Sequence, residues 1–340
     1  MENLTIALDA MSGDFGPRVV VPAALKAIKH HSNLHLILVG DPAKIGAFLP
    51  ESYSQISVVE STHLITNEMK PAYAIKHSQG TSMRLALELV KLDKAQACVS
   101  AGNTGALMGL SKILLHAIQG IDRPALVSML PVLNGKHVVV LDLGANVECD
   151  SEMLVQFALM GEILAKATLA IEHPRVALLN IGEEEAKGLD CIRLAASSLK
   201  ASDQINFIGY LEANDLLTGK TDVLVCDGFS GNVMLKTLEG TVRVFLSSVS
   251  NLSTSKSIFA NCFSGGWQKK MIKNFGHLDP NRYNGACLLG LQSIVIKSHG
   301  SADESSFLAA IEHAITAIKH QIPERIATSL SSALSKSENN

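Results

Sequence analysis

Several signatures are missing from this 340-residue sequence, and each absence removes a class of chemistry. No G-x-G-x-x-G follows the first strand-like run, which disfavours a standard dinucleotide site. No G-x-x-x-x-G-K-[ST] occurs, which disfavours a P-loop nucleotidase, and no G-x-S-x-G occurs, which disfavours an α/β-hydrolase. The six cysteines, Cys98, Cys149, Cys191, Cys226, Cys262 and Cys287, form no C-x-x-C pair. Most lie in or after apolar strand-like runs, so buried free thiols in a reducing cytoplasm are expected. The 12 histidines lack ligand spacing; His30, His31 and His35 come closest, at a helix end, so no metal is expected. No run approaches the roughly 18 apolar residues of a membrane-spanning helix. The N-terminus enters strand-like sequence with no basic flank or cleavage site, so no signal peptide is expected. A net charge of -3 lacks the basic surplus that nucleic acid calls for.

What is present is core. Hydrophobic residues make up 47% of the chain and charged residues 18%, the balance of a large globular unit. Strand-like and helix-like segments alternate. Strands are expected at Leu4 to Leu8, Leu34 to Val39, Ile56 to Val59, Gln96 to Val99, His137 to Leu141, Arg175 to Leu179 and Asp222 to Val225. Helices are expected over Val19 to Lys29 and up to His116. The strands are near-continuous apolar runs, as in a sheet covered on both faces. This predicts an α/β fold, an αβα sandwich with a mainly parallel sheet. Met234, Leu238, Val242, Phe245, Val249 and Leu252 recur at helical spacing and predict a long amphipathic helix. The expected organisation is one domain over residues 1–325, with a helical projection at about 234–275 and a polar tail over 329–340.

The chemistry concentrates where strands end. In open α/β sheets, ligands bind outside the carboxyl ends of strands. Asp9-Ala10-Met11-Ser12-Gly13-Asp14-Phe15-Gly16-Pro17 places two carboxylates and two glycines at the first such exit. Ser100-Ala101-Gly102-Asn103-Thr104-Gly105 precedes a helix, and backbone N–H groups at a helix start favour anions, phosphate above all. Asp227-Gly228-Phe229-Ser230-Gly231-Asn232 repeats that design, with Lys236 one turn further on. His299-Gly300-Ser301 is expected to open the last helix. Asn180 to Gly188 adds Glu183, Glu184, Glu185 and Lys187. Each turn alone is also compatible with plain helix capping; as a set they point to a phosphate or acidic ligand. No covalent nucleophile stands out, so the site holds reactants rather than attacks them.

These strings resemble the phosphate acyltransferase family of bacterial phospholipid synthesis, the acyl-ACP:phosphate enzymes. The resemblance rests on Asp9 to Pro17, Ser100 to Ala106, Arg123-Pro124-Ala125, Leu141 to Asn146, Gly182 to Gly188, Asp227 to Lys236 and Ile294 to Asp303. Two departures stand out. Ser12 occupies a usual glycine, and Asn284-Gly285-Ala286-Cys287 replaces a more usual Gly-Gly-Ala-Pro. The resemblance implies a fold related to phosphotransacetylases and isopropylmalate dehydrogenases. It implies formation of acyl phosphate from acyl carrier protein thioester and inorganic phosphate, without a cofactor. It also implies a homodimer, with the product handed to a membrane glycerol-3-phosphate acyltransferase.

Within that chemistry, Ser100, Gly102, Asn103, Thr104 and Gly105 are expected to cradle phosphate. Asn146 and His299 are further phosphate candidates. Lys187 is expected to neutralise charge at the reacting centre, and Asn232, following Asp227, to donate to the carbonyl oxygen. Lys269, Lys270 and Lys273, beside Trp267 and Phe275, are candidates for meeting acidic acyl carrier protein or the anionic inner face of the membrane. A solvated face is the plain alternative for those lysines. Three other readings remain open at this stage. They are a short-chain phosphotransacetylase using acetyl-CoA, a metal- and nicotinamide-dependent dehydrogenase of related fold, and a non-enzymatic scaffold at the membrane.

Overall fold

A computed structural model describes residues 3–49, 53–133, 135–251 and 278–337. The apolar runs form β1 (Leu4–Asp9), β2 (Leu34–Gly40), β3 (Ile56–Glu60), β4 (Ala97–Ser100), β5 (Ala125–Pro131), β6 (His137–Leu141), β7 (Val176–Leu179), β8 (Phe207–Leu211), β9 (Val223–Val225), β10 (Ala286–Leu289) and β11 (Ile294–Lys297). They join in one 11-stranded sheet, in the order β3-β2-β1-β4-β11-β10-β5-β6-β9-β7-β8. Side chains alternate across each strand, and in the inner strands both sets are buried. Ile6, Leu8, Val99, Ile296, Val139 and Val225 face one core. Ala7, Cys98, Val295, Val138, Val140 and Leu224 face the other.

Helices cover both faces, which completes the expected αβα sandwich. The first core is closed by α1 (Pro17–His30), α6 (Ser151–Leu169), α7 (Asp190–Lys200), α9 (Glu304–Lys319) and α10 (Ile322–Ser337). The second is closed by α3 (Pro71–Lys76), α4 (Ser82–Lys91), α5 (Thr104–Leu115) and α8 (Gly228–Asn251). A short α2 (Pro42–Gly46) follows β2. Local signals set the helix starts. Pro17 opens α1, where a missing N–H costs nothing. Asp150, Asn103 and Asp303 cap α6, α5 and α9 through side-chain oxygens.

The sheet is not wholly parallel, and this positions the site. β10 pairs antiparallel with β11 and with β5, and β5 pairs antiparallel with β6. The parallel set β3-β2-β1-β4-β11 therefore runs one way and the parallel set β6-β9-β7-β8 the other. Strand exits that read as one set in the sequence point in opposite directions. Asp9, Ser100 and Lys297 end strands that run one way, and the turns after Leu141, Leu179 and Val225 end strands that run the other. The register pairs Ser100 with Lys297, Lys297 with Ala286 and Ser128 with Val140, so exits of the two halves meet near the middle of the sheet.

Three boundaries differ from expectation. His299-Gly300-Ser301 does not open a helix, because Asp303 is the cap and accepts the Ser306 N–H at 2.8 Å. The tail from Ser329 is helical to Ser337, as the C-terminal part of α10, whose Ile322, Ile326 and Leu330 are buried in the first core. The long helix begins at Gly228, ahead of Met234, and its stripe loses cover beyond Val242, where Phe245 is exposed. The rest of the expected projection, from Leu252 on, lies outside the described residues.

Candidate active site

A cleft of about 490 Å³ opens in the second face, between α5 and α8, over β5 and β10. One end is lined by the turn Ala101 to Gly105 and by Lys297 to Gly300. The other is lined by Leu126, Leu143, Gly144 and Asn232, with Lys236 and Glu239 along the α8 wall.

The floor of the first end is built by the opening motif. Asp9 is buried beneath the turn, and its Oδ2 accepts the Ser100 hydroxyl at 2.7 Å. The same hydroxyl oxygen accepts the Gly102 N–H at 3.1 Å. Ser12 Oγ accepts the Ala101 N–H at 2.8 Å. Asp14 N–H donates to the Gly300 carbonyl at 2.8 Å, and Asp14 Oδ1 accepts from Asn67 Nδ2 at 3.3 Å. Gly13 is held at φ +77, where a side chain would also press on Ala101 and on the Gly300 carbonyl. The motif thus ties the exits of β1, β4 and β11 together. Burial raises the Asp9 pKa, and the hydroxyl donors only partly offset this.

These bonds decide which predicted donors are free. Ser100 spends its hydroxyl on Asp9 and Gly102. Asn103 accepts the Ala106 N–H at 3.0 Å, while its amide donates to the carbonyls of Asn67 and Met69, both at 3.0 Å. Asn146 lies outside the cleft. Its amide donates to Asp142 Oδ2 and the Pro124 carbonyl, both at 2.9 Å. Asp142 also accepts backbone N–H groups of Leu126, Gly144, Ala145 and Asn146, so this network is a structural hub. What faces the cleft unspent is the first turn of α5. The N–H groups of Thr104 and Gly105 have no intrahelical acceptor, and the Thr104 hydroxyl has no partner among the described residues.

The α8 wall adds charge. Lys236 Nζ donates to Glu239 Oε2 at 2.8 Å and also to His299 Nε2, and Glu239 lies 3.7 Å from that nitrogen. Burial pushes the Glu239 carboxyl up, but the His299 and Lys236 contacts hold it below its usual value. The His299 N–H is gripped by Asn284 Oδ1 at 2.9 Å. Lys297 closes β11 level with Ser100 and forms no ion pair with a described carboxylate. Burial, then the Lys236 ammonium, draws its pKa down to about 8. Asn232 sits against Gly144, and its amide has no partner among the described residues.

Two candidates fall elsewhere. Lys187 ion-pairs with Glu184 at 2.7 Å on the surface after β7 and does not line the cleft. That hydrogen bond raises its pKa. Asp227 caps α8, accepting the Ser230 N–H at 2.8 Å, and lines a second, apolar groove of about 990 Å³ on the other side of that helix. Ile181, Leu189, Phe229 and Val233 stand exposed along this groove. The glycines of Asp227 to Asn232 serve packing: side chains at Gly228 and Gly231 would collide with the carbonyls of Asn146 and Asp142. Lys269, Lys270 and Lys273 lie outside the described residues. The sequence reading missed Lys297 and Glu239. The signal for Lys297 was a lysine ending the apolar strand Ile294 to Ile296.

This architecture is shared with several solved structures. The chain is similar to a phosphotransacetylase from Streptococcus pyogenes, with TM-score 0.61 and 19% identity over 93% of this chain and 94% of that one. It is similar to a branched-chain phosphotransacylase from Enterococcus faecalis V583, with TM-score 0.59 and 17% identity over 92% and 98%. A 4-hydroxythreonine-4-phosphate dehydrogenase from Klebsiella pneumoniae matches with TM-score 0.53 and 14% identity over 93% and 97%. At such identities the likeness is one of fold, and it defines the class: an α/β protein built like the phosphotransacylases. The profile of the fatty acid synthesis protein family matches residues 4–325. The chain belongs to that family.

Proposed function

We propose that this protein moves a long acyl group from its thioester on acyl carrier protein to inorganic phosphate, yielding acyl phosphate and free carrier thiol. The observation that carries this reading is the cleft's surplus of unspent donors. The open N–H groups of α5, the Thr104 hydroxyl and the Asn232 amide, with Lys297 held by backbone carbonyls alone among the described residues, converge on a space in which those residues place one carboxylate, Glu239, already engaged by Lys236 and His299. Such a pocket suits a phosphate dianion.

Phosphate is itself a competent nucleophile and a thioester has a good leaving group. The protein therefore has to place phosphate in line with the carbonyl, and positioning alone promotes such reactions strongly. Phosphate rests against the first turn of α5. The Asn232 amide, at the far end of the cleft, is the donor for the developing oxyanion, a contact worth about 3–4 kcal/mol in comparable sites. Membership of the fatty acid synthesis family and the apolar groove behind α8 favour a long acyl chain over acetyl. The same reading takes the protein to be a homodimer that works beside the membrane and supplies a glycerol-3-phosphate acyltransferase there. No described helix is long and apolar enough to cross a membrane.

The deciding experiment is release of carrier-protein thiol from palmitoyl-carrier protein with and without phosphate, trapping the product with hydroxylamine. Phosphate-dependent release with a trapped hydroxamate is expected. Release from acetyl-CoA alone would replace this reading with that of a short-chain phosphotransacetylase, and no release from either donor would end it.

A further inference from the structure

Acyl transfer to phosphate leaves one proton to be moved. The thiolate that departs must gain a proton, and the phosphoryl hydroxyl must lose one. Among the described residues the cleft offers four titratable groups with a proton to give, and three are poorly placed. Lys236 is fixed between Glu239 and His299. His299 accepts from Lys236 at Nε2, at the half-exposed rim. The Tyr283 phenol is pushed well above its usual range by burial and by Glu239, so it is a weak acid. Lys297 is different. Among the described residues its Nζ touches only carbonyl oxygens, of Ala101 at 3.4 Å and of Ser298, and it stands beside the turn that opens α5.

We propose that Lys297 is the acid that protonates the departing thiolate, a catalytic residue of the acyl transfer inferred above. A phosphate oxygen forms the new C–O bond to the thioester carbon. The C–S bond breaks and its electron pair goes to sulfur. A proton passes from Lys297 Nζ to that sulfur. The neutral amine then takes the phosphoryl hydroxyl proton and is an ammonium again. Thioester and hydrogen phosphate dianion become acyl phosphate dianion and thiol, and Lys297 is unchanged.

The surroundings suit this task. A general acid works best when its pKa lies near the operating pH. Burial and Lys236 bring Lys297 to about 8, while Asp9 and Asp14, from β1 and its exit, pull the other way. A simple thiol ionises near 8.5. Glu239, His299 and Tyr283 are the other titratable groups lining the cleft near it.

Lys297→Arg is the test, because guanidinium keeps the charge and holds its proton at any working pH. The expected result is a fall in kcat of about 100-fold, the usual scale of acid catalysis, with the phosphate KM nearly unchanged. With an aryl thioester, whose thiolate leaves without a proton, the defect should shrink to a few-fold. Wild-type kcat should fall above about pH 8 as the ammonium is lost, while the arginine variant shows no such limb. Lys297→Met should lose phosphate binding as well, and thermal melts of both variants separate these effects from misfolding. An arginine variant with wild-type kcat would overturn the proposal and leave Lys297 a fixed charge. Leaving-group sensitivity appearing in His299→Gln instead would move the role to His299. Because the inference rests on the acyltransferase reading, a wild-type protein without phosphate-dependent release removes both. An active wild type with an equally active arginine variant removes this one alone.

Discussion

At the scale of single residues, the chain separates groups that build the site from groups that face it. Asp9 shows the difference. The sequence placed the Asp9 to Pro17 motif at a strand exit where ligands bind, and the structure uses it as scaffolding under the turn that opens α5. Burial lifts the folded-state pKa of this carboxylate above its ordinary value of 3.8. Between those two values the native protein holds a proton that the unfolded chain has released. Stability therefore falls as pH rises through that window. Asp9→Asn keeps a carbonyl acceptor for Ser100 and removes the titration. In urea titrations its stability relative to wild type should climb as pH rises above about 4; a flat difference would show that Asp9 titrates normally. Ser100, Asn103 and Asn146 were legible as polar residues at strand exits. That their hydrogen bonds are spent internally was not, since Ser100 meets a partner 91 positions away. Type and spacing identify a donor, while only the fold reveals whether it is free.

At the scale of elements, the alternation of strands and helices was legible because apolar periodicity is local. Less legible was the purpose of the glycines before α8. They read as an anion-binding turn, yet their lack of side chains lets the first turn of α8 lie against the backbone at 142–146. Gly228 N–H donates to the Asn146 carbonyl at 2.7 Å, which fixes the approach. Gly231→Ala drives a methyl into the Asp142 carbonyl and close to Cys226 Sγ. A loss of about 2–3 kcal/mol is expected in urea unfolding, as for other overpacked sites. A loss below about 0.5 kcal/mol would mean that α8 shifts freely. The start of α9 was misplaced for a related reason. His299-Gly300-Ser301 has the composition of a cap, but Asp303 binds the free N–H groups and sets the boundary.

At the scale of the whole molecule, the antiparallel joints at β10 and β5 turn one sheet into two opposed halves. No local pattern reports strand direction, so the sequence gathered all exits into one group and included Lys187. In the described chain Lys187 is a surface ion pair away from the cleft. Lys187→Ala should leave stability within about 1 kcal/mol, as for exposed pairs, and acyl-phosphate turnover within about threefold. A tenfold fall in turnover would give Lys187 a place at the reacting centre after all. The same topology has a consequence for how the protein is made. The two central strands, β10 and β11, come from residues 286–297, yet they lie between β4 and β5, whose segments are translated long before. At roughly 5–20 residues per second, the ribosome runs for tens of seconds before it delivers the pair that joins the halves. Until then the nascent chain carries two unfinished sheet edges and no cleft at all. The cleft in this architecture is acquired late and at a single stroke, and the open edges must be shielded for much of the time of synthesis.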